Sequence, residues 1–332
     1  QTDPVLEPVT AMASAPASSS GGDKDTVIAF SKGIGLWKNM NATMQGIDNE
    51  WDLLDLTEKN VSSIIHDPDN VTYFHLGTGA ATDSDYARIF RSTNNGDSWS
   101  ERLTIESDGQ FNLSSDKSSN QRLFALLTGS NPAVYTSINA GSSWTGMSRW
   151  PAFANVKNDS ALLADPTEPG NVFAPLWLSG IWHYSVAEES WTMIQNSPKT
   201  IVSMAWDQDS PNTILAGSGT SATIWKSSDK GLTWVEDHSW NAPFARISKV
   251  LSNELFTAAL VAGEEMDDSA LFLKTNGQWV NVSEDIGIGA WDLEGYVDPE
   301  ENTHLLVSTE LFGLYHSDDM GQSWQAVEGF PD

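Results

Sequence analysis

A chain of 332 residues carrying 45 acidic and only 17 basic side chains has a net charge of −28 and an isoelectric point near 4.3. That balance excludes nucleic acid as a partner, because phosphate contacts need clustered Lys and Arg. Cysteine is absent, so the fold rests on packing rather than disulfides, and sulfur says nothing about redox compartment.

Taken in chain order, the sequence divides into similar units. The first, 6–57, offers residues 6–14 as an inner strand and a Ser/Ala/Gly-rich stretch, 13–25, as a long surface loop, and ends at Trp51. The second, 58–105, is the clearest. An apolar run from Val61 to His66 meets the turn Asp67-Pro68-Asp69-Asn70, residues 71–76 alternate as a second strand, and two further strands follow a Gly-rich connection. Four short β-branched and aromatic runs broken by Asp, Pro, Asn and Gly predict one four-stranded antiparallel blade. Units 106–150, 151–196, 197–240, 241–285 and 286–332 repeat the order, and no stretch carries helical periodicity.

Within the units an eight-residue motif, S-x-[DN]-x-G-x-x-W, begins at Ser92, Ser137, Ser227 and Ser317. Its tryptophans at 99, 144, 234 and 324 are separated by 45, 90 and 90 residues, a period of 45 with two eroded copies ending at Trp191 and Trp279. With Trp51 this gives seven units, which predicts a single all-β domain, a seven-bladed β-propeller of four-stranded antiparallel blades. The motif resembles the Asp-box, or BNR repeat, and the chain is identified as similar to the Asp-box β-propellers over its whole length. The resemblance implies a hairpin turn in which the Asp or Asn accepts backbone N–H bonds, Gly takes a positive φ, and Trp packs between blades. The role is structural: Asn replaces Asp in two copies and no bidentate Glu follows, so no metal site and no cofactor are expected. Closure is open between complete end blades and an extra outer strand from residues 1–6 or 328–332.

Six N-x-[ST] sequons, at Asn41, Asn60, Asn70, Asn112, Asn158 and Asn281, favour a glycosylated, secreted, extracellular protein of fungal type. A chain that begins at Gln1 resembles a mature form whose leader has been removed, and no run is long enough to span a membrane. No membrane partner is expected, and a monomer is.

In Asp-box enzymes the active site resembles a funnel on the face opposite the boxes. Here the strand order puts crossovers 148–159, 236–246 and 281–291 on that face, with B–C loops 77–88, 262–269 and 308–313. Trp150, Trp177, Trp240 and Trp291 fall on or beside these segments, and exposed indoles beside carboxylates suit sugar rings. Asp83, Asp85, Asp159, Glu264, Glu265, Asp267, Asp268, Asp292, Glu294 and Glu310 supply the acids. Asp292, after Trp291 at the mouth of an inner strand, is the leading catalytic candidate, followed by Glu264 and, as a lyase base, His238. Tyr86, Arg88, Arg246 and Glu310 complete the expected substrate-binding set. A sialidase needs three converging arginines, for which only Arg88, Arg149 and Arg246 are placed; a lyase would draw on His238, Arg246 and Lys157. The remaining histidines, His66, His75, His183, His304 and His316, show no paired spacing. The expected ligand is a plant or microbial polysaccharide, with cleavage as a glycoside hydrolase or polysaccharide lyase left open beside binding. The alternative is a non-catalytic lectin-like or protein-binding scaffold.

Overall fold

The computed structural model describes residues 9–15, 26–31, 34–40, 42–43, 46–47, 51–54, 56, 60–80, 86–119, 121–151, 156–157, 160–207, 210–241, 244–252, 255–263, 269–284, 286, 289–297, 302–309, 313–328 and 330. It is an all-β, seven-bladed propeller of four-stranded antiparallel blades. Within each blade the strands are A to D in chain order. Strands A (Val9–Ala15, Val61–His66, Phe111–Ser115, Leu163–Ala164, Ile201–Asp207, Phe244–Ser252 and Ala290–Val297) neighbour one another around the axis. No described helix is long and apolar enough to cross a membrane.

Burial follows from this geometry. Strands B such as Phe74–Thr78, Leu123–Leu127 and Val172–Leu176 are buried at every position, because blades cover both their faces. The outer strand Ser100–Glu106 is exposed at alternate or consecutive positions. The apolar residues fall into one cluster per blade interface. Each cluster contains one blade-terminal indole: Trp99, Trp51, Trp279, Trp324, Trp191, Trp144 and Trp234 in turn.

The four S-x-[DN]-x-G-x-x-W turns share one hydrogen-bond pattern. The Ser hydroxyl accepts from the Gly N–H, at 2.9 Å for Ser92 and Ser137, 2.7 Å for Ser227 and 2.8 Å for Ser317. The Asx Oδ1 accepts from the N–H four residues on, at 3.1 Å for Asn94 and 2.8 Å for Asp319, so Asn and Asp serve equally. Glycine is required twice over at position 141. Its φ is +72°, and a Cβ there would lie 2.4 Å from the buried His75 ring of the preceding blade. Where the motif has eroded in the sixth blade, Asn276 and Gly277, with φ of 52° and 77°, form a two-residue hairpin between Thr275 and Gln278.

Closure uses complete end blades. The first sheet joins Val9–Ala15, Thr26–Ser31, Gly35–Asn39 and Asp52–Leu53; the last joins Ala290–Val297, Thr303–Thr309, Leu314–Ser317 and Gln325–Ala326. Across the seam the Phe330 ring meets Trp51 edge-on at 4.9 Å, and the Ser14 hydroxyl donates to Glu294 Oε1 at 2.9 Å. Phe330 thus contributes a side chain to the seam; residues 1–6, 329, 331 and 332, which include the other candidates for an outer strand, lie outside the described residues.

Candidate ligand site at the channel mouth

Several inner strands begin with a bulge. Register shifts fall between Val9 and Ala11, Val61 and Ser63, Ile201 and Ser203, and Ala290 and Asp292. A bulge adds one residue to one strand and re-aims it. In the seventh blade that residue is Trp291, which is 44% exposed. The strand starts, together with the strand end at Ala262 and Gly263 and the strand start beside Ser269, enclose a cavity of about 550 Å³. These termini belong to the crossovers and B–C connections, so the cavity opens on the face opposite the motif turns.

Below Trp291, Asp292 and Glu294 pair with Ser308 and Leu306, two apart on the neighbouring strand, and so share one side of the sheet. Asp292 is 8% exposed; its Oδ1 lies 2.5 Å from Lys249 Nζ of the sixth blade and accepts the Leu293 N–H at 3.0 Å. Glu294 is partly open to the channel but enclosed by protein. Desolvation pushes its pKa from 4.5 up to about 7; the Asp292 charge adds to this, while the Ser14 and Gly295 hydrogen bonds and Lys249 oppose it. The cavity thus pairs an ion-paired carboxylate with a carboxyl that keeps its proton toward neutrality. Arg246, Gln110, Asn112, Ser62, Ser63 and Thr10 add polar lining.

Of the residues proposed from sequence, Asp292, Trp291 and Arg246 meet at this cavity. Trp150 and Trp240 do not line it. Trp150 packs edge-on against Trp191 at 4.8 Å, and Trp240 contacts Phe272 at 4.7 Å and Trp279 at 5.8 Å, because rings beside a blade's last strand fill the inter-blade groove. His238 lies on the outer strand Val235–Ser239 with its ring 4.4 Å from Trp240, away from the channel. Trp177 is half-buried, under the Lys157 ammonium at 4.4 Å. Tyr86, 43% exposed, carries Arg88 over its ring at 5.7 Å, and Arg88 also reaches Glu101 at 3.5 Å. Of the three arginines weighed for a sialidase, only Arg246 reaches the lining.

Glu264 and Glu310 lie outside the described residues, as do Asp83, Asp85, Asp159, Glu265, Asp267 and Asp268, and the sequons at Asn41 and Asn158. Asn112 departs from the glycosylation expectation. It is 6% exposed and its amide donates to the Ser160 carbonyl at 2.7 Å, which leaves no room for a glycan. The Asn60 and Asn70 amides donate to Ala80 O and Asp67 Oδ1. Asn281 is exposed, with its Oδ1 accepting from Ser283.

Sequence reasoning missed Lys249 and named Glu294 only among the acids of this face, without choosing it as a catalytic candidate; the available signal was its two-residue spacing from Asp292. It also missed a histidine pair. His304 Nδ1 and His316 Nε2 are 2.9 Å apart on neighbouring strands, and desolvation with the His304 neighbour lowers the His316 pKa to about 4. The separation leaves no space for an ion between the rings, and the described residues hold no cluster of three metal-ligating groups. A second cavity of about 500 Å³ lies on the other face, between the fourth and fifth blades, and is lined by Asp165, Lys230 and Leu232 among others.

No family model matches the sequence, and no curated protein matches it. Among solved structures the chain is similar to the GH74 xyloglucanase from Xanthomonas campestris, with 14% identity and a TM-score of 0.74 over 99% of this chain and 56% of that one. It is also similar to YCF48 bound to D1 peptide, at 13% identity and a TM-score of 0.60 over 94% of this chain and 93% of that one. Saccharomyces cerevisiae Sqt1 gives 10% identity and a TM-score of 0.60 over 93% and 95%. The chain spans 56% of the length of the xyloglucanase it matches. At these identities the likeness is one of fold.

Proposed function

We propose that this is a secreted propeller of the Asp-box class that binds a plant or microbial polysaccharide at the channel mouth. The observation that carries the reading is one cavity holding an exposed indole, Trp291, directly beside the Asp292–Lys249 pair and Glu294. A pyranose presents a C–H face to an indole while its hydroxyls bond to carboxyls and amides. Secretion is supported by the sequons, of which Asn281 is exposed and best placed to carry a glycan.

The same geometry supports cleavage. Residues two apart on a strand have Cα atoms about 6.6 Å apart, a backbone spacing from which their carboxyl groups can reach the separation of roughly 5 to 9.5 Å over which glycosidase carboxyls act. Glu294, protonated below about 7, fits the acid that protonates the leaving oxygen, and Asp292 fits the carboxylate partner. Calorimetry against a panel of oligosaccharides, with a reducing-end assay alongside, tests both parts. Wild type binds one class, and Asp292→Asn loses binding or turnover while remaining folded at the assay temperature by circular dichroism. Absence of binding to every sugar, or an Asp292→Asn protein equal to wild type, refutes the site.

A second reading has its own support. YCF48, whose structure holds the D1 peptide, matches this chain over nearly the whole of both lengths, which favours a protein-binding scaffold as the alternative. Peptide capture by a protein that ignores sugars would select it.

A further inference from the structure

Cations are scarce in this molecule, yet Arg246 and Lys249 both line the channel cavity from one strand. A bulge brings them together. Arg246 pairs with Ala262 and Lys249 with Leu260, two apart on the neighbouring strand, with the register shift between Ile247 and Lys249 absorbing one residue. In a regular strand positions 246 and 249 would face opposite sides; the extra residue gives them the same side. Lys249 is engaged by Asp292 at 2.5 Å. The Arg246 side chain is exposed and makes no hydrogen bond or ion pair among the described residues. It stands in the same cavity as Trp291.

We propose that the channel mouth selects a carboxylated sugar, a uronate unit of an acidic polysaccharide, whose carboxylate pairs with the Arg246 guanidinium while its ring lies against Trp291. The inference rests on the carbohydrate reading above and specifies its substrate class. A guanidinium offers two parallel N–H donors that match both oxygens of a carboxylate, and a partly enclosed cavity strengthens the pairing. The charge of the described lining agrees. Arg246, Lys249, Asp292 and Glu294 are its charged or titratable members, and below about pH 7 Glu294 carries a proton. Two positive charges then face one negative charge, a local excess of one in a molecule of net charge −28. Glu294 is faced by Ser14 from the first blade, Lys249 from the sixth, and Asp292 on its own strand. When it ionises the excess disappears, so uronate binding weakens as pH rises through about 7. The connection 264–268 between two lining strands lies outside the described residues and outside this balance.

The test is calorimetric titration of wild type and Arg246→Gln with trigalacturonate, a neutral trisaccharide and acetate, at pH 5.5 and pH 8. Wild type binds trigalacturonate at least about tenfold more tightly than the neutral sugar at the lower pH, the factor expected of one charge-assisted contact. Arg246→Gln erases that preference at an unchanged melting temperature, and the preference shrinks at pH 8. Equal or tighter binding of the neutral sugar, or a preference that survives in Arg246→Gln, overturns the uronate assignment while leaving carbohydrate binding standing. Acetate binding as tightly as trigalacturonate also overturns it, as a site for simple anions. Failure of both sugars removes this inference together with the reading beneath it.

Discussion

Replacing Glu294 by Gln should change how stability depends on pH. Burial disfavours the charged carboxylate and nearby Asp292 disfavours it further; together they outweigh the Ser14 and Gly295 hydrogen bonds and hold the pKa at about 7 instead of 4.5. An acid whose native pKa exceeds its unfolded value keeps an extra proton in the fold. Its contribution is complete below about 4.5 and is lost as pH rises to about 7. At about 1.4 kcal/mol per pH unit the gap amounts to about 3 kcal/mol, and partial exposure to the channel lowers this toward about 2 kcal/mol. An unfolding entropy of about 2.1 cal/mol/K per residue, over 332 residues, converts this to about 3 to 4 °C. Gln keeps an oxygen to accept from Ser14 but has no proton to lose. Scanning calorimetry of both proteins between pH 4.5 and 8 isolates the effect, since other titrations cancel in the difference. Wild type should lose about 3 to 4 °C relative to Glu294→Gln across that interval. A flat difference would show that Glu294 is not a buried proton carrier. A rise would show that Lys249, not burial, governs it.

The remaining predictions concern the blades. Trp324 is buried and donates to the Val282 carbonyl at 2.6 Å across an interface, so Trp324→Ala should cost about 3 to 5 kcal/mol in chemical denaturation; a variant as stable as wild type would remove the indole from the closure of the ring. Asp319→Asn should cost less than about 1 kcal/mol and leave ligand binding unchanged, since Asn139 makes the same turn bond at 3.0 Å. Loss of binding in that variant, with none in Asp292→Asn, would place the functional face among the motif turns.

What the sequence determines here is what local rules write. The hydroxyl of Ser227 reaches the Gly231 N–H within four residues, so the bond that shapes the turn is made inside the motif and is legible from its spacing. A 45-residue period sets the number of blades, and the tryptophan ending each unit sits in the same groove because each blade repeats its neighbour's geometry. The candidate site obeys no such rule. Ser14 and Glu294 are 280 residues apart and meet only because the ring closes; Lys249 and Asp292 are joined across adjacent blades. One unpaired residue between Ile247 and Lys249 decides which side of the strand Lys249 faces, and nothing in the local sequence marks it. Trp150, Trp240 and Trp291 are alike as letters beside long connections. Only packing separates them: two have a neighbouring blade's aromatic ring within reach and bury against it, whereas the third stands on a bulge at the open end of the channel, where no blade remains to cover it.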